Sequence, residues 1–340
     1  MLMPGIQTLQ AQPDELTFAF TGDIMMGTTY PDSLYQTHLP ANNGKELLKA
    51  PLDILRQADF TAGNLEGTLL EQGGSVKESK DPNLHYAFRT PPHYVDNLLE
   101  AGFDFVSLAN NHSNDFGTEG LRSTQKTLKK AGIAYAGLKG LCETTVVTRK
   151  GIRFGIAAFS HNALTPHLSH LKKVRHTVSE LRRKCDYVIV SFHGGAEGTK
   201  FTRVPHSREY CFGEDRGDVC AFARTCIDAG ANLVYGHGPH VVRAIELYKD
   251  RLIAYSLGNF CTPYRINITG RSGYAPVLTV TTTRDGKFVK GQIHSFIQQH
   301  GRGPQRDKTH RAATEIAELT QQDFPQTPVL FSPDGHITRR

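Results

Sequence analysis

The sequence predicts an α/β protein whose reactive side chains gather at the carboxyl ends of strands. Three features carry that expectation. Apolar runs of strand length stop abruptly at polar clusters, as where Phe105, Val106 and Leu108 give way to Asn110-Asn111-His112. Stretches with helical spacing lie between such runs, as at 118–131, 171–184 and 219–229. The plan of strand then polar cluster, mostly beside Gly, occurs five times, and in open α/β sheets the carboxyl ends of strands are where ligands bind.

The totals fit an ordinary soluble protein. The chain has 340 residues, enough for one large domain or two smaller ones. Charged residues make up 21%, and the mean hydropathy is −0.37. The formal net charge of +6 permits an anionic substrate but is too diffuse to point to nucleic acid. No run of about 18 apolar residues exists, so no membrane span is expected. Met1 to Glu15 lacks the basic start and apolar core of a secretory signal. The six cysteines form no CxxC pair, which reads as free thiols in a reducing, cytoplasmic setting. Oligomeric state is not legible.

Residues 1–15 read as a loose leader, 16–300 as one domain, and 301–340 as a terminal helix and tail packing on that domain. Strand 16–21 runs into Gly22-Asp23-Ile24-Met25. Taken alone, Asp23 after Gly22 reads as a turn or helix cap. Leu47, Leu48, Leu52 and Leu55 give helical spacing over 44–57. Strand 58–62 ends in Gly63-Asn64-Leu65-Glu66-Gly67. Segment 68–92 is a polar loop carrying Lys77, Lys80, His85 and Arg89, and loops of that length are functional or disordered. Helix 93–101 stops at Gly102, strand 103–109 delivers the Asn110 cluster, and helix 118–131 stops at Gly132. A hairpin over 143–148 and 152–160 precedes helix 171–184.

Strand 186–192 is the clearest buried strand and delivers His193-Gly194-Gly195-Ala196-Glu197. Segment 198–215 reads as irregular and basic, and 219–229 as a helix. Strand 232–235 delivers Gly236-His237-Gly238-Pro239-His240. A hairpin over 243–248 and 251–256 leads to Leu257-Gly258-Asn259-Phe260. Loop 262–275 precedes a hairpin over 276–284 and 287–295 that turns at Asp285-Gly286. Helix 310–321 and a Pro-bearing tail finish the chain.

A single His after a strand is more often structural than a ligand, so the recurrence matters more than any one cluster. Asp23, Glu66, Asn111, His193, His237 and His240 all follow expected strands. Six oxygen and nitrogen donors without a thiolate suit Mn, Fe, Zn or Mg. Gly238-Pro239 is compact enough to let His237 and His240 reach one centre. One zinc ion needs three or four ligands, and six donors suffice for two ions about 3.5–4 Å apart. One or two divalent ions are therefore expected, acting on an anionic ester, with a neighbouring His to protonate the leaving group.

The motifs Gly22-Asp23-Ile24-Met25, Asn64-Leu65-Glu66, Asn110 to Gly117, His193-Gly194-Gly195, Gly236 to His240 and Ser256 to Phe260 resemble, in order, those of the CapA family. That family is associated with poly-γ-glutamate capsule synthesis and belongs to the calcineurin-like metallophosphoesterase superfamily. The resemblance covers roughly 16–262. It implies a four-layer α/β/β/α sandwich, with two central mixed β-sheets flanked by helices. It implies Asp23 and His240 as ligands of a first metal, Glu66 as a bridging carboxylate, and Asn111, His193 and His237 as ligands of a second. His112 would be the acid, oriented by Asp115. Asn64, Asn110, Glu197 and Asn259 would face the substrate. Met25 stands where phosphoesterases usually have His, and a thioether is a poor ligand for such ions. Asn64 stands where they usually have Asp, leaving Glu66 to substitute.

Three functional readings follow. The first is a metal-dependent hydrolase, most simply a phosphoesterase acting on an anionic small molecule or polymer. The second is action on γ-glutamyl amide bonds, without a recognisable Ser or Cys nucleophile motif. The third is a non-catalytic, metal-containing accessory protein of polymer synthesis, which the Met25 substitution favours. Arg89, Arg203, Arg208, Arg265 and Arg271 are loop residues suited to framing an anion.

Overall fold

Aromatic residues placed by strand alternation build the centre of the molecule. Phe18 stacks on Tyr187 with ring centroids 4.9 Å apart, and Phe20 stacks on Tyr235 at 4.6 Å. Phe18 and Phe20 belong to one sheet, Tyr187 and Tyr235 to another, so these contacts join the sheets face to face. Each such buried side chain contributes about 1.5–3 kcal/mol relative to exposure. The computed structural model describes residues 14–32, 38–78 and 86–340. Lys80, His85 and nearly all of the expected leader lie outside them.

The first sheet runs in the order Val329–Phe331, His336–Arg339, Phe288–His294, Val277–Thr283, Glu15–Ile24, Phe60–Leu65, Phe105–Ser107, Ala134–Ala136. Asn259–Cys261 also pairs, in parallel, with the end of Glu15–Ile24. The second sheet runs Ile245–Tyr248, Arg251–Ala254, Leu233–His237, Tyr187–His193, Ile152–Ser160, Thr144–Arg149. Both sheets are mixed: the first is antiparallel up to Glu15–Ile24 and parallel from there to the Ala134–Ala136 edge, and the second is parallel in the middle and antiparallel at both edges. A second apolar cluster packs Val174, Val178 and Leu181 of helix Leu171–Lys184 and Phe222 and Cys226 of helix Val219–Asp228 against the outer face of the second sheet. A third packs Leu55, Leu98 and Leu128, from helices Leu52–Gln57, Val95–Glu100 and Gly117–Ala131, against the outer face of the first. The result is the α/β/β/α order of layers.

Several local expectations change. The helix expected over 44–57 is α-helical only at Leu52–Gln57, because Pro51 cannot donate to a preceding turn and sits at the N-cap. The irregular segment 198–215 contains a hairpin, Glu209–Cys211 with Glu214–Gly217. The loop 68–92 contains the parallel pair Thr68–Leu69 and Arg89–Thr90. Asn259, read as part of a loop cluster, lies in a strand. The terminal tail adds two strands to the first sheet. No helix among the described residues is long and apolar enough to cross a membrane, and all six cysteines are unpaired.

Candidate metal centre

Strand register assembles the site. Asp23 is paired on one side with Asn64 and on the other with Asn259. In the second sheet His193 lies opposite both His237 and Ser160. The strands are parallel, so their carboxyl ends open in one direction. The backbones approach closely here: a Cβ on Gly22 would lie 1.9 Å from the Gly258 carbonyl oxygen. Gly238, at φ +113°, likewise lets the 236–240 turn pass close to His193 and Gly194. His240 holds a left-handed φ of +57° without being Gly or Asn, a strained conformation of the kind found at functional sites.

Two groups of potential ligands result, Asp23 with His193 and His237, and Asp23 with Glu66 and His240. In each, the ligand atoms lie within 4.8 Å of one another. Asp23 belongs to both groups. Its Oδ2 is 3.0 Å from His240 Nδ1 and its Oδ1 is 3.7 Å from His237 Nδ1. Glu66 Oε1 faces His193 Nε2 at 3.9 Å and His240 Nε2 at 3.8 Å. His193 Nδ1 and His237 Nδ1 are 3.1 Å apart, and His237 Nε2 is 3.0 Å from Ser191 Oγ.

The site residues divide into those satisfied by the protein and those that are not. Asn110 Nδ2 donates to Asn64 Oδ1 (2.9 Å) and to the Leu65 carbonyl, while its Oδ1 accepts from His112 N (3.0 Å) and Ser113 Oγ. Asn64 Nδ2 in turn donates to Asp23 Oδ1 at 2.8 Å. Asn259 Oδ1 is 2.9 Å from His240 Nδ1, and its Nδ2 donates to the Ser272 carbonyl. By contrast both Glu66 carboxylate oxygens, His193 Nε2 and Asn111 Oδ1 are buried with no hydrogen-bond partner. Orphaned buried polar atoms are costly and call for an explanation. A divalent cation gives one, since every orphan is a nitrogen or oxygen donor of the kind such ions take. The residues present therefore fit a metal. Met25 is not among the converging donors: its thioether sulfur accepts from Gly27 N at 3.3 Å.

The electrostatics agree with this division. Burial and then the Asp23 charge drive the Glu66 carboxyl well above its ordinary range. Burial opposes ionisation of Asp23 too, but the His240 hydrogen bond and the His240 and His237 charges outweigh it and hold Asp23 low. Burial lowers His193 well below its usual value and takes His237 down to about 4. Burial also works against charge on His240, yet Glu66 and Asp23 together raise it well above the usual value.

His112 stands at the edge of this cluster. Its Nδ1 is 2.9 Å from Asp115 Oδ2 and 3.2 Å from Lys77 Nζ, and Lys77 Nζ is 2.5 Å from Asp115 Oδ1. Phe88 N also donates to Asp115 Oδ2 (2.7 Å), and the Phe88 ring packs on His112. Burial lowers His112 despite the opposing Asp115 charge. Glu197 is half-buried and takes Arg216 Nη2 at 2.5 Å. Of the loop arginines singled out as anion frames, Arg89, Arg203, Arg208 and Arg271 are already paired with protein carboxylates, at Asp32, Asp323, Asp215 and Glu315. Arg89 is buried beneath the loop rather than displayed on it.

Sequence reasoning passed over His161 and Arg216, and named Lys77 only as one charge of the 68–92 loop. His161 follows strand Ile152–Ser160 and its ring stacks on His193 with centroids 5.7 Å apart. Ser160-His161-Asn162 repeats the strand-then-polar plan, so the signal was present. Lys77 and Arg216 come from segments without periodicity, and nothing local marks them.

The chain is similar to several known proteins. The capsule biosynthesis protein CapA of Bacillus anthracis is 27% identical over 267 residues, covering 73% of this chain and 60% of that one. The PGA biosynthesis protein CapA of Bacillus subtilis (strain 168) is 28% identical over 270 residues, covering 73% and 63%. The chain thus spans about three-fifths of the length of these relatives. The crystal structure of calcineurin-like phosphoesterase YfkN from Bacillus subtilis aligns over 92% of this chain and 97% of its own, with TM-score 0.46 and 11% identity. A family model described as bacterial capsule synthesis protein PGA_cap matches residues 17–264, which hold every ligand candidate named above, and the chain belongs to that family.

Proposed function

We infer that this protein is a metal-dependent hydrolase of the CapA type, acting on an ester of an anionic substrate, most simply a phosphoester of a small molecule or polymer. The observation that carries the reading is the pair of ligand groups joined at Asp23, with Glu66 and His193 left unsatisfied by the protein. Asp23, His193 and His237, with Asn111, would hold one divalent ion, and Asp23, Glu66 and His240 another. Such ions supply Lewis acidity toward an anionic ester and activate water.

The chain's own residues do the rest. Asn110 and Asn64 form a hydrogen-bonded relay that fixes Asp23 Oδ1, and Asn259 fixes His240. These asparagines position the ligands rather than the substrate, because their polar atoms are already committed. Asp115 and Lys77 engage His112 at Nδ1, which leaves Nε2 as the nitrogen that hands a proton to the leaving group. Purified protein with Mn²⁺ is to be screened on a broad phosphoester panel beside Asp23→Ala and His193→Ala. Turnover lost in both variants supports the reading, whereas equal rates in all three sink it.

A second reading is a non-catalytic accessory role in capsule polymer synthesis. Met25 favours it, because the position that would complete the first ion's ligand set is spent on the Gly27 N–H. One tightly held ion with no turnover on phosphoesters or on poly-γ-glutamate would select it.

A further inference from the structure

Beside the ligand cluster lies a second polar group that the reading above does not use. Arg216 comes from the strand Glu214–Gly217, and its backbone carbonyl accepts from Gly195 N at 2.9 Å, which pins it to the loop after His193. Its side chain is only 3% exposed. One prong, Nη2, binds Glu197 Oε1. The Nε edge faces Glu214 Oε2 at 3.4 Å without a hydrogen bond, and Nη1 is buried with no partner. The same Glu214 oxygen is 3.2 Å from Nε2 of His161, another buried nitrogen without a hydrogen bond. A buried guanidinium with two of its three nitrogens, Nε and Nη1, lacking a hydrogen bond is unusual.

Glu214 faces the Nε side. Its side chain is 56% exposed and so keeps access to water while it faces Arg216 and His161, and ion pairs of such exposed groups contribute little. Its carboxylate lies between Arg216 and His161, where an incoming oxyanion would lie. Planar guanidinium edges match carboxylate and phosphate oxygens. On the other side, the His161 ring stacks on His193, so the group so held would lie next to the ligand cluster.

We propose that Arg216 and His161 form a subsite for a second oxyanion of the substrate, a carboxylate or phosphate lying beside the reacting ester, with Glu214 as the displaceable group that fills it when substrate is absent. This rests on the hydrolase reading and narrows it to substrates carrying two anionic groups. Glu197 and Glu214 offset the Arg216 charge, so a free ion binds weakly, by directed N–H donation.

The test uses the whole metal-free protein. Thermal unfolding is followed against increasing orthophosphate and, separately, glutarate, with ionic strength matched by NaCl. The wild type is expected to be stabilised by at least one ion, and the ion that works identifies phosphate or carboxylate as the group bound. Arg216→Met is expected to weaken apparent binding about tenfold. Glu214→Ala is expected to tighten it about two- to fivefold, as loss of an exposed competing carboxylate should. If Arg216→Met does not fold, Arg216→Lys, which keeps the charge but loses the fork, replaces it with the same expected direction. No stabilisation of the wild type, or equal stabilisation of wild type and the Arg216 variant, overturns the proposal. Because neither metal nor turnover is read, such a failure is distinct from a failure of the hydrolase reading.

Discussion

Replacing Glu66 with Gln moves stability and metal affinity in opposite directions. Glu66 is fully buried, and neither of its carboxylate oxygens has a hydrogen-bond partner. Leaving a buried polar group unsatisfied costs about 1–3 kcal/mol, more if charged. Gln has the same shape, carries no charge, and can turn an N–H₂ toward the His193 nitrogen that Glu66 Oε1 faces. The metal-free variant is therefore expected to gain about 1–2 kcal/mol. For a chain of this size that is about 2 °C in Tm. The gain has a pH signature. The folded pKa of Glu66 is raised, so its neutral form is favoured by folding, and its contribution is fully present below the unfolded value near 4.5 and lost as pH rises through the folded value. The advantage of Glu66→Gln should accordingly grow with pH across that window. Metal binding runs the other way. Four-ligand structural zinc sites yield about 10–16 kcal/mol of apparent binding free energy. Losing one charged ligand is then worth about 3 kcal/mol, or about a hundredfold in Kd. Urea unfolding with chelator from pH 4.5 to 8, and titration calorimetry with Mn²⁺ or Zn²⁺, measure the two quantities. A variant less stable than wild type without metal, or one with unchanged metal affinity, would refute the reasoning.

Other expectations follow from the same geometry. The Glu66 and Asp23 carboxylates raise His240 well above its usual value against the opposing effect of burial, so metal uptake through His240 should release a proton. Calorimetry in two buffers of different ionisation enthalpy checks this, and buffer-independent heats would contradict it. Asn110→Ala cuts the relay to Asp23 and leaves His112 N without its acceptor. It should weaken metal binding about 10–100-fold, as loss of an outer-shell partner does, and unchanged affinity would deny the relay any role. Phe18→Ala empties the middle of the inter-sheet core, where Phe18 meets Tyr187, Phe154 and Phe60. A loss of about 3–5 kcal/mol in denaturant unfolding is expected, and a loss below about 1 kcal/mol would mean that the sheets are not packed as described.

The layered fold and much of the site were legible because both follow from local patterns. Strands such as Tyr187–His193 and Leu233–His237 are apolar to their last turn, and parallel pairing then forces His193 and His237 side by side. The positions of Asp23, Asn64 and Asn259 follow from register in the same way. Asn64 and Asn110 could be placed at the site, but the task expected of them, facing the substrate, could not include the hydrogen bonds to Asp23 and to each other, because those depend on which partner each amide finds across the sheet. Arg216 was invisible, and Lys77 legible only as a loop charge, for a related reason: each sits in an aperiodic segment and gains its meaning only from contacts with distant residues. His161 was legible in principle, but Ser160-His161-Asn162 closes a hairpin strand and lacks the flanking Gly that drew attention elsewhere. The helix expected over 44–57 failed where a leucine repeat outweighed Pro51.

The central claim is that Asp23 joins two groups of metal ligands. A crystal structure of the protein soaked in Mn²⁺, with ion positions taken from anomalous scattering, tests it most directly. The expected result is density against both Asp23 oxygens, one ion shared with His193 and His237 and another with Glu66 and His240. An ion bound elsewhere, with Asp23 still held by His240 and Asn64 alone, would contradict it.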